Sequence, residues 1–197
     1  ATGRPVESEV FKRIRAGSDE EVFPSVLGGK NWEPMSWNPA TGLAYANTLN
    51  ISWPYQLAKP EYKKGEWYIG VNFRGVNMPK NEPHGYLSAL DPMTGKTKWQ
   101  MPWPGLPSMA GTLSTAGGLV FTGAATGEVI AVDADNGNKL WQFQTGSGII
   151  GLPVTWERNG TQYVTIVSGG GGVWALLGDE RMAQIPAGGS VWTFAIR

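Results

Sequence analysis

Two stretches decide how this chain folds: Ala89-Leu90-Asp91-Pro92-Met93-Thr94-Gly95-Lys96-Thr97-Lys98-Trp99 and Ala131-Val132-Asp133-Ala134-Asp135-Asn136-Gly137-Asn138-Lys139-Leu140-Trp141. They match at Ala, Asp, Gly and Trp, each pair offset by 42 residues. A period of about 40 to 45 residues in a Gly-rich, Trp-rich sequence is the spacing of one four-stranded propeller blade. Each motif reads as strand, turn, strand. The Asp offers a side-chain acceptor to turn amides, and the Gly takes a positive φ. The Trp begins the next strand, where its flat ring can cover a neighbouring blade while its N–H finds a carbonyl. Packing, not chemistry, is the role this gives both tryptophans.

A second pattern precedes each strand pair: Pro34-Met35-Ser36-Trp37 with Gly42-Leu43-Ala44-Tyr45, Thr112-Leu113-Ser114-Thr115 with Gly118-Leu119-Val120-Phe121, and Pro153-Val154-Thr155-Trp156 with Gly160-Thr161-Gln162-Tyr163. All three read as short strand, turn, strand, and Asn159-Gly160 is the pair that a type I′ hairpin turn prefers. Together the patterns predict an all-β chain of three blades. Residues 1–30 are the tail of a preceding blade and an interblade loop, with the charged run 7–21 solvated. Residues 31–105 form a blade with a long insertion at 49–83, 106–146 a second, and 147–197 a final blade lacking its outer strand. Ala1-Thr2-Gly3 reads as the end of another such turn, so the chain is expected to be the C-terminal piece of a longer propeller with edges left to pair.

Composition narrows the function. Gly and Pro make up 42 of 197 residues, which argues against helical bundles and coiled coils. Sixteen basic residues balance sixteen acidic ones, so no nucleic-acid footprint is visible. The absence of Cys excludes thiolate metal sites, thiol catalysis, disulfides and a Cys-x-x-Cys-His haem attachment within this stretch. No apolar run approaches the about 20 residues of a membrane helix, and residues 1–20 lack a signal-peptide core, so an export signal would lie outside. The single histidine, His84, cannot build a multi-histidine metal site and reads as a loop hydrogen-bonding residue. Asp91 and Asp133 are explained by their turns and are not general bases. Asn50-Ile51-Ser52 and Asn159-Gly160-Thr161 match a glycosylation pattern, the second better explained as a hairpin.

Gly28-Gly29-Lys30-Asn31-Trp32-Glu33-Pro34-Met35, the two 11-residue motifs, Gly111-Thr112-Leu113-Ser114-Thr115-Ala116-Gly117, Asn159-Gly160-Thr161-Gln162-Tyr163-Val164 and Gly188-Gly189-Ser190-Val191-Trp192-Thr193-Phe194 together resemble the pyrroloquinoline quinone (PQQ) dependent alcohol dehydrogenases of the methanol/ethanol type. The resemblance covers nearly the whole chain. It implies an eight-bladed β-propeller in which the 11-residue motifs form a girdle of docked tryptophans. Asn136 departs from the usual Thr, and Glu7 stands where a Trp would end the truncated first motif.

Loops entering the innermost strands of a propeller converge on one face, where small ligands bind. Three are rich in Gly or small residues: 28–33, 107–111 and 145–151. From the residues alone their glycines could serve tight turns or close approach to a flat cofactor. Asn31 could cap a turn or bond quinone and carboxylate oxygens, and Trp32 could pack in the core or line a cavity. The resemblance implies cofactor-binding roles for Asn31 and Trp32, and for the backbone of Met109 and Ala110, although a Trp often stands at Met109. It implies that Trp174, after Gly169-Gly170-Gly171-Gly172-Val173, walls the substrate cavity. The catalytic Asp and the ligands of a Ca²⁺ or lanthanide ion are expected outside this chain, so the chain alone is expected to be inactive. Also implied are the remaining N-terminal blades as partners, a small primary alcohol as substrate, a separate cytochrome c as electron acceptor, and a periplasmic location. A non-catalytic propeller of the same repeat, acting as an envelope scaffold or binding module, is the alternative. A sugar-oxidising relative is a third reading, which the Trp- and Tyr-rich insertion fits less well.

Overall fold

A computed structural model describes residues 3–72, 75–170, 174 and 180–196. The expected turn remnant Ala1-Thr2 and the residues flanking Trp174 (171–173 and 175–179) lie outside the described residues. In chain order the elements are α1 (Glu9–Arg15), β1 (Glu20–Val22), β2 (Ser36–Asn38), β3 (Leu43–Leu49), β4 (Trp53–Tyr55), β5 (Gly85–Leu90), β6 (Thr97–Pro102), β7 (Leu113–Ser114), β8 (Leu119–Gly123), β9 (Glu128–Asp133), β10 (Lys139–Gln144), β11 (Val154–Arg158), β12 (Thr161–Gly169), a 3₁₀ turn (Glu180–Gln184) and β13 (Gly189–Ile196).

The strands form antiparallel meanders in the order β2-β3-β5-β6, β7-β8-β9-β10 and β11-β12-β13, plus a small β1-β4 pair. The chain is therefore mostly β. Middle strands β3, β5 and β9 are buried on nearly every residue, whereas β6 and β10 are largely exposed. A strand buried on both faces is sandwiched between neighbouring sheets. One apolar cluster joins the first two sheets through Leu43, Tyr45, Leu87, Val120, Ile130 and Val132. A second joins the next two through Ala110, Val129, Ile149 and Ile166.

Both repeated turns are built as their residues require. Asp91 Oδ1 accepts the N–H groups of Met93 (2.8 Å) and Thr94 (3.3 Å), and Asp133 Oδ1 those of Asp135 (2.8 Å) and Asn136 (3.2 Å). Gly95 and Gly137 follow with φ of 70° and 75°. Trp99 then crosses to the second sheet, where its Nε1 donates to Ala134 O (3.0 Å), a carbonyl that the buried Tyr45 hydroxyl also reaches (3.0 Å). Trp141, the matched residue, meets Phe194 of β13 edge-on with ring centroids 4.9 Å apart. In the last sheet, Asn159-Gly160 adopt φ of 52° and 74° and pair Arg158 with Thr161, as a type I′ hairpin demands.

The charged run 7–21 is solvated, as expected, but it is not a loop. Ser8 caps α1 by accepting the Phe11 N–H (3.1 Å), Glu9 occupies the first turn, and Lys12, Arg13 and Arg15 the last. Those charges complement the helix dipole, and the buried Ile14 anchors the segment. Residues Glu20–Val22 then pair with Trp53–Tyr55 of the insertion. Glu21 fastens that join by accepting bonds from Ser52 Oγ and Asn77 Nδ2 (2.9 Å), which hold its carboxyl below the usual glutamate range, the serine most.

Candidate functional site

Each of the three glycine-rich loops is tied down by local polar bonds. In 28–35, Gly28 has φ of 76°, and a Cβ there would stand 2.8 Å from Lys30 O, so only glycine fits. Leu49 N–H donates to Gly29 O (2.8 Å), joining the loop to the end of β3. Asn31 is exposed and acts partly as a cap: Nδ2 donates to Leu27 O (3.0 Å) and Oδ1 accepts the Trp32 N–H (2.8 Å). One N–H and one lone pair of its carboxamide remain uncommitted to these bonds. Trp32 is 60% exposed and not a core residue.

Beneath Asn31 lies Glu33, only 2% exposed. Its Oε2 accepts the Asn31 N–H (3.1 Å), while Oε1 has no partner among the described residues. The Lys30 ammonium is turned to the Asn31 carbonyl (3.0 Å) and the Glu33 carbonyl, not to the carboxylate. A buried carboxylate oxygen left unpaired is costly, so this position is a place where a donor would be welcome.

The segment 103–112 is held by hydrogen bonds along most of its length. Trp174 Nε1 donates to Pro107 O (3.0 Å), and Ser108 Oγ donates to Gly123 O (2.5 Å) while accepting the Ala110 N–H (3.1 Å). Asn47 Nδ2 donates to Ala110 O (2.8 Å), so both Ala110 backbone groups are engaged; none of these bonds involves the Met109 peptide groups. The Met109 and Trp174 side chains are buried in one cluster with Leu49, Ile51 and Leu106, whereas Ala110 belongs to the cluster of Val129, Ile149 and Ile166. Trp174, at 1% exposure, therefore backs the loop.

In 145–151, the Thr145 hydroxyl donates to Gly127 O (2.7 Å) and meets Ser168 Oγ (2.8 Å), and Gly169 N–H donates to Gly148 O (2.8 Å). Gly111, the end of the second loop, meets the residues that follow the other two: a Cβ there would stand 2.5 Å from Leu152 Cβ and 3.3 Å from Pro34 Cδ, and the adjoining Thr112 N–H donates to Pro34 O (3.0 Å). Of the five residues that sequence reasoning named, the structure groups Met109 with Trp174 and leaves Asn31 and Trp32 together on the exposed rim.

A family model described as "PQQ: Glucose/ethanol/alcohol dehydrogenase, beta-propeller domain" matches residues 81–164. The quinoprotein ethanol dehydrogenase of Pseudomonas putida is 42% identical over 204 residues, a match spanning 99% of this chain and 32% of that protein. The chain belongs to the quinoprotein alcohol dehydrogenase family. Among solved structures, a europium-containing methanol dehydrogenase superposes with a TM-score of 0.79 at 31% identity, covering 91% of this chain and 35% of that one. The quinohemoprotein alcohol dehydrogenase of Comamonas testosteroni superposes with a TM-score of 0.77 at 34% identity, covering 90% and 28%. The chain thus spans about a third of the length of the curated quinoprotein relatives it matches.

For a quinoprotein, the donor set on this rim fits the edge of a planar, polar cofactor: a carboxamide with spare capacity in both senses, and a glycine junction free of side chains. It does not by itself fit a metal. Among the described residues no three His, Asp or Glu side chains converge, and Glu33 is a single buried carboxylate. His84 bridges Gly105 O and Pro79 O at 2.9 Å each, a loop role. Asn47 and Glu33 were missed by sequence reasoning. Glu33 sits inside the quoted Gly-Gly-Lys-Asn-Trp motif, yet nothing local marks it as buried; Asn47, amid the apolar residues of β3, was the one detectable anomaly.

Proposed function

We propose that this chain is the C-terminal part of a PQQ-dependent alcohol dehydrogenase, three blades of an eight-bladed propeller that oxidises a primary alcohol to an aldehyde in the periplasm. The observation that carries the reading is the junction at Gly111, where Pro34 and Leu152, the residues that follow the other two entry loops, close on a position with no room for a side chain, while Asn31 of the first loop keeps an exposed carboxamide. The relatives' printed names, quinoprotein ethanol and butanol dehydrogenases, support the substrate class. The long outer edge of β13, unpaired among the described residues, suits a closing strand from another part of the propeller. Trp99, donating to Ala134 O against the Gly137 turn, suits the docked-tryptophan girdle.

In this reading PQQ, when bound, supplies the acceptor for the alcohol's electrons, polarised by a Ca²⁺ or lanthanide ion held by residues outside this chain. The chain's own residues position and enclose. Asn31 bonds the cofactor edge, its turn held by Glu33. Trp32 lends an exposed ring for stacking beside it, and the Met109–Ala110 backbone supplies a rigid floor. Trp174 fixes the height of that floor from Pro107 and sets the wall of the alcohol cavity. A cytochrome c would receive the electrons.

The test is Asn31→Ala in the full-length protein, with PQQ affinity read by titration. Loss of one or two direct hydrogen bonds should raise Kd about 5- to 50-fold. Unchanged binding would assign the cofactor to another contact and leave Asn31 capping its turn, as its bonds to Leu27 O and Trp32 N–H allow; no PQQ binding by the unaltered protein would favour the second reading, a non-catalytic propeller.

A further inference from the structure

Asn47 is 2% exposed in β3, between Ala46 and Thr48, in a strand buried on nearly every residue. A bare carboxamide there would be costly, so its bonds are informative. Its Oδ1 accepts the Trp103 indole N–H (2.9 Å). Its Nδ2 donates twice, to Ala110 O and to Thr122 Oγ1, both at 2.8 Å. The indole can only donate and the carbonyl can only accept, so the carboxamide has a single workable orientation. The fully buried Thr122 hydroxyl, having accepted from Asn47, passes its own proton to Gly111 O (2.9 Å).

These bonds have a common destination. Trp103 is the first residue after β6, and Ala110 and Gly111 are among the last before β7. Asn47 therefore holds both ends of the crossing 103–111, one directly and one through both a direct bond and the Thr122 relay. The same core could be filled with apolar side chains, but such packing would not fix the height and tilt of the Met109–Ala110 peptides; directed hydrogen bonds in a low-dielectric interior do.

We propose that Asn47, with Thr122 as its relay, is the positioning residue of the cofactor-facing segment 109–111, setting the backbone plane on which PQQ rests. This rests on the assignment of Met109 and Ala110 to the cofactor site. Neither residue touches the cofactor; they act through the carbonyls of Ala110 and Gly111.

Thr122 gives the sharper test, because two substitutions separate hydrogen bonding from packing. Thr122→Val keeps the volume and removes the hydroxyl; Thr122→Ser keeps the hydroxyl and removes a methyl. In the full-length protein, PQQ Kd should rise about fivefold or more in Thr122→Val, the equivalent of one lost bond, and stay within about twofold of the parent in Thr122→Ser. Amide exchange across 108–112 in the cofactor-free protein should quicken in Thr122→Val and not in Thr122→Ser. Equal Kd values in the parent and both variants would overturn the positioning role alone, as would a serine variant weaker than the valine one. Absence of PQQ binding by the unaltered protein would overturn the site assignment and this role with it.

Discussion

Gly137 and Gly95 occupy matched turns with φ of 75° and 70°, yet their surroundings differ. A Cβ on Gly137 would stand 2.6 Å from Trp99 Cε3 and 2.9 Å from Cδ2 and Cζ3, whereas a Cβ on Gly95 meets nothing within 4 Å. Replacing either with Ala forces an L side chain into the left-handed region at about 1–2 kcal/mol. Only Gly137→Ala adds overpacking against the indole, about 1–3 kcal/mol more. The expected losses are therefore about 1–2 kcal/mol for Gly95→Ala and about 2–5 kcal/mol for Gly137→Ala. With a urea slope of about 2 kcal/mol/M the two midpoints should separate by about 0.5–1.5 M, read by far-UV circular dichroism. Trp99→Ala should abolish the difference, because the clash goes with the ring, giving a coupling of about 1–3 kcal/mol between positions 99 and 137. Equal losses at the two glycines, or a loss at Gly137 that persists without Trp99, would mean that the ring of one sheet is not seated on the turn of the next.

Glu33→Gln keeps an acceptor for the Asn31 N–H and removes a buried charge, so stability should hold or rise; a fall of more than about 1 kcal/mol would reveal a donor on Oε1. The Thr94 hydroxyl and then the Met93 amide hold the Asp91 carboxyl below the usual aspartate range, so its contribution is present above that range and fades as pH falls through the lowered value. Asp91→Asn should flatten the acid limb of a stability–pH curve. Burial holds the Tyr45 phenol above its ordinary range, against the bond from Thr41 and with help from Asp135 and Asp133. Its contribution is complete below the ordinary tyrosine range and is lost as pH rises through the raised value, so Tyr45→Phe should shrink the alkaline fall.

What could be read in the sequence was what local chemistry dictates. Asp91 with Gly95, Asp133 with Gly137, and Asn159 with Gly160 each encode a turn without help from distant residues, and the 42-residue offset then orders the strands. The insertion's pairing of β4 with β1 joins residues about 30 positions apart through three-residue strands, too short for alternation to register. Helix α1 was hidden because seven residues with one buried anchor, Ile14, carry no 3.6-residue stripe, and its charges resemble those of a loop. At the site, glycine content marked the three loops, but which face each side chain takes is decided by neighbouring sheets. Hence Glu33 is buried while Trp32 beside it is exposed, and Asn47, far from any loop motif, controls one.

On this account the loops 28–33, 107–111 and 145–151 hold a planar quinone through Asn31. A crystal structure of the full-length protein reconstituted with PQQ would show that contact itself. Tricyclic density within hydrogen-bonding distance of the Asn31 carboxamide, lying over the Met109–Ala110 backbone, is the expected result. Well-ordered PQQ bound elsewhere, with Asn31 retaining only its bonds to Leu27 and Trp32, would contradict it.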